Sequence, residues 1–319
     1  MALTITRLMS QRPKLGLESR ILTVAQVTFD NSYPTGGWPV TADDLHLAAR
    51  IDWFFVRDID SGYHLQVDHA NKKIKVGLPA QLTSFVTAKA TGLNLNIAPN
   101  TPVDTTVTIS GVTGINDGDQ ILFSIALFNV PVTSILTEPT GLTLIRTVGG
   151  TRHSRKEASG ETGTFSWVLR TDDIHAEING RVVACLAVYR GVRASAPVDV
   201  ENGQTTASST QHSTPSITTT VTNTRLVSMY MVEATGNMAP PSEQTERVDQ
   251  DSSSLPGIGS VHDEVQAAAG ATGVKTATSS EVGTGTAELI ALAPEPGTEL
   301  ASGSAALDGK KCLLFGWGS

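Results

Sequence analysis

Residues 121–128 read ILFSIALF, and residues 182–189 read VVACLAVY. Both runs are apolar at nearly every position. Both are strand-length and bounded by glycine, proline or asparagine. A short, continuously apolar run of this kind predicts a central strand with both faces buried. LVSMYMV at 226–232 and ELIALAP at 288–294 have the same character. Around them lie segments that alternate instead: ILTVAQVTF at 21–29, YHLQVD at 63–68, KIKV at 73–76, TTVTI at 105–109 and GTFSWVL at 163–169. Period-two alternation rich in β-branched and aromatic residues predicts half-buried strands. Asn116-Asp117-Gly118, Pro139-Thr140-Gly141 and Asn202-Gly203 supply turn chemistry between them. Helical signals are few. Thr41-Ala42-Asp43-Asp44 resembles a capping box, with Leu45, Ala48 and Ala49 as an apolar side. Residues 261–269, VHDEVQAAA, read equally well as a helical turn or as extended chain.

These strands predict an all-β fold: a small N-terminal β-rich module followed by a large antiparallel β-sandwich, jelly-roll or Ig-like. Residues 1–85 hold most of the aromatic density, including Phe29, Tyr33, Trp38, Trp53, Phe54 and Phe55, and form the first module. Residues 86–104 have weak periodicity and are expected to be a linker. Residues 105–294 form the sandwich. Within it the Ser/Thr-rich stretch 204–224 begins as an exposed loop and ends in a segment able to join a sheet edge. Residues 295–319 form a Gly/Ala/Ser-rich tail ending in Leu313, Leu314, Phe315 and Trp317.

Composition narrows the function classes. The chain has 319 residues, with 31 acidic against 23 basic side chains and a formal charge of −8. Hydrophobic residues at 39% are too many for a disordered acidic chain, and no run approaches a membrane span. The acidic balance disfavours general binding to nucleic acid, which needs cations against phosphates. Two cysteines cannot make a disulfide framework, so Cys185 reads as a small buried hydrophobe and a reducing compartment is expected. The opening MALTITRLMSQRPK lacks the apolar run of a secretory signal.

The familiar nucleophile, phosphate-loop, dinucleotide and zinc spacings are absent from the sequence, and no enzyme activity, cofactor or metal is expected. His262-Asp263-Glu264 is the densest acid–base group, and reads as a solvated loop or edge. Asp172-Asp173 with His175 reads as a turn, and Asp68-His69-Ala70-Asn71 as a hairpin loop. Arg152, His153, Arg155 and Lys156 read as a basic, solvated loop after Gly149-Gly150. Arg7, Arg12, Lys14 and Arg20 make a basic N-terminal arm on an acidic protein, suited to docking on an acidic protein surface. Phe315 and Trp317 are expected to pack against another subunit.

Two sets of motifs resemble structural proteins of tailed-phage particles. The first is VTFDNSYPTGGWPVTADDL at 27–45 followed by GYHLQVDHANKKIKV at 62–76, which is similar to capsid-associated phage proteins. The second runs through TTVTISGVTGINDGDQILFSIALF, PTGLTLIRT and VVACLAVYRGV, and resembles a β-sandwich domain of phage and bacterial surface proteins. Gly118-Asp119, Pro139-Thr140-Gly141-Leu142 and Tyr189-Arg190-Gly191-Val192 fall in the family's order. Leu142 stands where tryptophan is common, which puts an aromatic ligand site in doubt. The resemblance implies a non-enzymatic virion protein, made in the host cytoplasm and located on the capsid surface. The expectation is a decoration or cement protein whose partners are the major capsid protein and further copies of itself, as a homo-dimer or homo-trimer. Attachment is expected through Arg7, Arg12 and Lys14, with the turn Tyr33, Pro34, Gly36, Gly37 and Trp38. The alternative is a tail-fibre, baseplate or head-fibre adhesin. In that role, loops 149–162 and 204–216 would contact host carbohydrate.

Overall fold

A computed structural model of the chain describes residues 4–11, 21–29, 34, 36–45, 47, 50–59, 64–77, 82–97, 103–128, 135–171, 178–251, 256–297 and 311–318. Among them the structure is nearly all strand, and the one helical feature is a 3-10 turn at Asp43–Leu45. The chain divides into two units, residues 1–80 with 296–319 and residues 81–295.

The first unit is discontinuous in sequence. Its larger sheet runs β1 (Thr4–Gln11), β2 (Ile21–Thr28), β23 (Lys311–Gly318) and β4 (Ile51–Ile59), antiparallel throughout. Its smaller sheet runs β3 (Trp38–Pro39), β6 (Lys73–Gly77) and β5 (His64–Asp68). Val27, Phe29, Trp38, Phe54, Ile74 and Leu314 meet in one core. Alternation explains the assignment: Ala25 and Val27 of β2 point inward with Cys312 and Leu314 of β23. The capping box forms as read. Thr41 N donates to Asp44 Oδ2 at 2.7 Å, and Asp44 N donates to Thr41 Oγ1 at 3.3 Å. It starts only the single 3-10 turn, with Leu45 buried beneath it.

The second unit stacks three sheets. The central one has the order β11 (Thr143–Val148), β12 (Thr151–Glu157), β9 (Gln120–Phe128), β14 (Ile178–Arg190) and β7 (Ser84–Ile97). One face packs on β10 (Ile135–Thr137), β13 (Phe165–Thr171) and β8 (Val103–Ile109). The other packs on β15 (Val198–Ser213), β22 (Thr276–Leu292), β17 (Thr224–Glu233), β20 (Ile258–Gln266) and β19 (Thr245–Gln250). The short strands β16 (Thr218–Thr219) and β21 (Gly270–Ala271) pair with each other, and β18 (Met238–Ala239) pairs with β22.

This layering accounts for the continuously apolar runs. On β9, Ile121, Phe123, Ile125 and Leu127 face the β8–β13 side, while Leu122, Ala126 and Phe128 face β17 and β22. On β14, Val182, Ala184, Leu186 and Val188 face one way and Val183, Cys185, Ala187 and Tyr189 the other. Both faces are core, so polar alternation is excluded. Trp167 fills the first interlayer, its ring edge-on to Phe123 at 5.8 Å. Cys185 is buried and unpaired with Cys312, and burial pushes its thiol well up.

The all-β, sandwich-like expectation holds, with a third layer added. Several segments differ from their expected roles. Most of 86–104, expected as a linker, belongs to β7 and the start of β8, and β7 pairs with β14 along nearly its full length. The start of 204–224, expected as an exposed loop, is part of β15, paired to β22. The basic group at 152–156 is strand β12, and 261–266 lies in strand β20. Within the expected tail 295–319, residues 311–318 form β23, which completes the first unit.

Candidate functional site

In the first unit, the turn at Pro34–Trp38 is built onto the β5–β6 hairpin. Gly37 N donates to Pro34 O at 3.1 Å, and β3 pairs with β6 through Trp38 opposite Ile74. Gly37 has φ +89, and a Cβ there would lie 2.6 Å from the Ile74 carbonyl oxygen. Only glycine satisfies both the left-handed backbone and this contact. Gly37→Ala is expected to destabilise the first unit by roughly 2 kcal/mol, read as a lowered thermal midpoint. A midpoint unchanged from the parent chain would contradict it. The Lys73 ammonium sits against the turn, 3.6 Å from where a Gly36 Cβ would be. With Lys72 and Lys75 it gives this corner a basic rim, partly offset by Asp68, 3.5 Å from Lys75.

The Asp68–Asn71 hairpin loop forms as read. Hydrogen bonds from the Asn71 side chain and backbone hold Asp68 down to about 2.

The expected docking residues divide sharply. Pro34 and Gly36 are half-buried on the turn, whereas Gly37 and Trp38 are buried. Trp38 packs against Phe29, with ring centroids 4.7 Å apart and planes tilted by 33°, and belongs to the core, so it is not a contact residue for a partner. Arg7 lies in β1 opposite Ala25. Arg12, Lys14, Tyr33, Asp172, Asp173 and His175 lie outside the described residues.

Phe315 and Trp317, expected at a subunit contact, lie in β23, and both of its ladders are filled within the chain. Phe315 stacks on Phe55 across the β23–β4 ladder, with centroids 4.5 Å apart and planes 2° apart. Trp317 pairs with Trp53 two positions along.

The second sequence motif also closes on itself. Arg190 grips the Asp119 carboxylate through two nitrogens, at 2.9 and 2.8 Å, and Asp119 accepts from Asn116 N at 2.8 Å. Residues quoted from opposite ends of the motif thus form one bidentate pair.

Between the central sheet and the β15–β19 sheet lie two buried polar groups that local reading of the sequence missed. The first joins Ser124, His153, Arg146, Glu201 and Glu288. Ser124 Oγ and His153 Nδ1 are 2.5 Å apart, and Arg146 donates to Glu201 at 2.7 Å. Glu288 has no exposed side chain and lies 3.9 Å from Arg146. Gly203 leaves its space, since a Cβ there would lie 1.7 Å from Glu288 Oε2. Burial, then the contact with Glu201, pushes Glu288 up to about 9. Glu201 is also pushed up by burial, but hydrogen bonds from Arg146 and Glu288 hold it below its usual range. As two carboxylates, Glu288 and Glu201 would offer only acceptors to each other. A proton on Glu288 makes the contact a hydrogen bond. Burial holds His153 down at about 3, so it is neutral. Ser124, His153 and Glu288 are wholly buried, so this group acts on the packing of the two sheets.

The sign of its pH effect follows. Glu288 is raised from 4.5 to about 9 in the folded state, so its stabilising contribution is fully present below pH 4.5 and fades as pH rises towards 9. Glu288→Gln keeps a donor and removes the proton linkage. Its unfolding free energy is expected to exceed that of the parent chain increasingly from pH 6 to pH 9, by roughly 1–3 kcal/mol at the upper end, read as a widening gap between the two thermal midpoints. Parallel midpoint curves for the two chains across that range would refute the shared proton.

The second group centres on Asp263, which accepts from Arg247 at 2.8 and 3.0 Å and from Arg225 at 3.4 Å. Arg225 also donates to the Thr83 carbonyl at 2.7 Å, and Arg247 lies 4.3 Å from the Phe85 ring centroid. His262-Asp263-Glu264, expected to be solvated, is therefore largely interior. His262 donates to or accepts from Ser260 at 3.0 Å, and Glu264 holds Lys275 at 2.6 Å. Strand alternation turns Asp263 to the face opposite His262 and Glu264, so the three acid–base residues do not converge. Among the described residues, no group of three or more His, Cys, Asp or Glu side chains is placed to hold a metal ion. Comparison with known protein families, curated proteins and solved structures found no match.

Proposed function

We propose that the chain is a structural protein of a phage particle that coats the outer surface of the head in many copies and strengthens the shell. The observation carrying this reading is that each set of phage-like motifs closes into a physical contact. The 34–38 turn seats on strand β6 of the β5–β6 hairpin, and Asp119 clasps Arg190. The resemblance thus falls on residues that build the two units. The basic rim of Lys72, Lys73 and Lys75 supports docking on an acidic surface of the major capsid protein, with charge attraction steering the encounter. Equivalent copies on a symmetric shell then turn modest contacts into avidity.

Add-back to particles stripped of the protein tests this. The parent chain is expected to restore many copies per head and to raise the temperature at which heads break. Lys72→Glu with Lys73→Glu is expected to weaken binding about tenfold at low salt, with the difference shrinking as salt screens the charges. Finding the chain only at the tail tip of native particles would overturn the reading.

A further inference from the structure

The second unit has an open cleft of about 390 Å³ between the ends of the central sheet and the β15–β19 sheet. That volume is within the range of small-molecule sites, about 300–1,000 Å³. Its floor is apolar and buried, with Phe128 and Met231 contributing, and is pinned by a 2.7 Å hydrogen bond between Thr151 and Thr286 that ties the two sheets together. Thr205 and Thr284 stand exposed at the rim, and the half-buried Glu233 supplies one carboxylate, 3.4 Å from the Thr284 hydroxyl. Five separated segments line it: residues 126–128, 149–151, 205–206, 231 with 233, and 284–286. Two of them form its loop side and edge. One is the β11–β12 turn at Gly149-Gly150, and the other is Thr205-Thr206 on β15.

We propose that this cleft binds a neutral pyranose unit of a saccharide. Each part of the lining matches one property of that ligand. The apolar floor covers the C–H face of a sugar ring. Threonine hydroxyls both donate and accept, as sugar hydroxyls do, and Glu233 accepts from a hydroxyl pair. No lysine, arginine or histidine is among the described lining residues, which disfavours an anionic sugar. Phe128 is the one aromatic ring among them, too few for the aromatic cage of a quaternary ammonium ion. The cleft is set by paired strands, so it is formed before the ligand arrives. This inference goes beyond the shell-binding reading, and either holds without the other.

The test uses the full chain with labelled methionine methyls. Glucose, galactose and N-acetylglucosamine are titrated, with glucuronate and choline as charged comparisons. At least one neutral pyranose is expected to shift the Met231 methyl saturably while leaving the Met9 methyl in place. Thr284→Trp, on the exposed rim, is expected to abolish the shift with an unchanged thermal midpoint. Glu233→Gln is expected to weaken binding about tenfold. Absence of a Met231 shift with every neutral pyranose, an undiminished shift in Thr284→Trp, or preference for glucuronate or choline would overturn the proposal. Thr284→Trp should still bind stripped heads, which separates failure of this site from failure of the docking reading.

Discussion

A chain ending at residue 297 is expected to lose the folded first unit altogether while residues 81–295 keep their own unfolding transition. The reason lies in the order β1–β2–β23–β4. Strand β23 is interior to that sheet, bonded to β2 over Ile21–Thr28 on one side and to β4 on the other. It also brings Cys312 and Leu314 into the core beside Val27 and Phe54. Removing it strips two ladders and opens the core in one step. That loss exceeds what a unit of this size has in reserve, since whole domains are stable by only about 5–15 kcal/mol. Calorimetry should show one transition in place of two. A milder probe is Leu314→Ala, expected to cost about 2–5 kcal/mol in the first unit alone. Two intact transitions in the shortened chain would show that β23 is dispensable.

Asp263→Ala is expected to be the most damaging single change in the second unit. It removes a wholly buried carboxylate and leaves Arg225 and Arg247 facing each other with side chains only 13% and 22% exposed. Breaking a buried pair in this way costs about 3–5 kcal/mol, and the partial exposure of both arginines places the value near the lower end. At roughly 2–4 °C per kcal/mol, the second transition should fall by about 6–12 °C. Pairing the change with Arg247→Leu should recover part of the loss, because one uncompensated charge goes too. If the double variant is less stable than the single one by the full cost of Arg247→Leu alone, the two residues are not coupled.

Legibility in the sequence followed burial. ILFSIALF and VVACLAVY were readable because layers on both faces make their apolar character continuous. Two of the strands that escaped notice, β15 and β7, lie at sheet edges. β15 is rich in Ser, Thr and Gln, and its side chains are mostly half-buried or exposed, so no period appears. β7 is the edge of the central sheet, and VTAKATGLNLNI mixes polar and apolar residues on both faces. Partnering at long range was invisible for another reason. Nothing local in KKCLLFGWGS says that it inserts between two strands, Ile21–Thr28 and Ile51–Ile59, from the far end of the sequence. Asp263 was misjudged because a charge in isolation reads as solvated. Asp263 is interior only because Arg225 and Arg247 arrive from two neighbouring strands, and Glu288 because Gly203 leaves it room. The turn at 34–38 was legible as a turn, but Trp38 was not legible as core, since its packing partner Phe29 lies across the turn.

The discontinuity of the first unit also has a consequence for how the protein is made. Strands β1–β6 leave the ribosome before residues 81–295, and β23 is translated after them. The three-sheet unit can therefore fold on the nascent chain while the first unit still waits for its interior strand. A chain stalled or cut between residues 295 and 311 carries a finished second unit and an unfinished first one. The first unit therefore comes into being only after residues 311–318 have been made, long after its other strands.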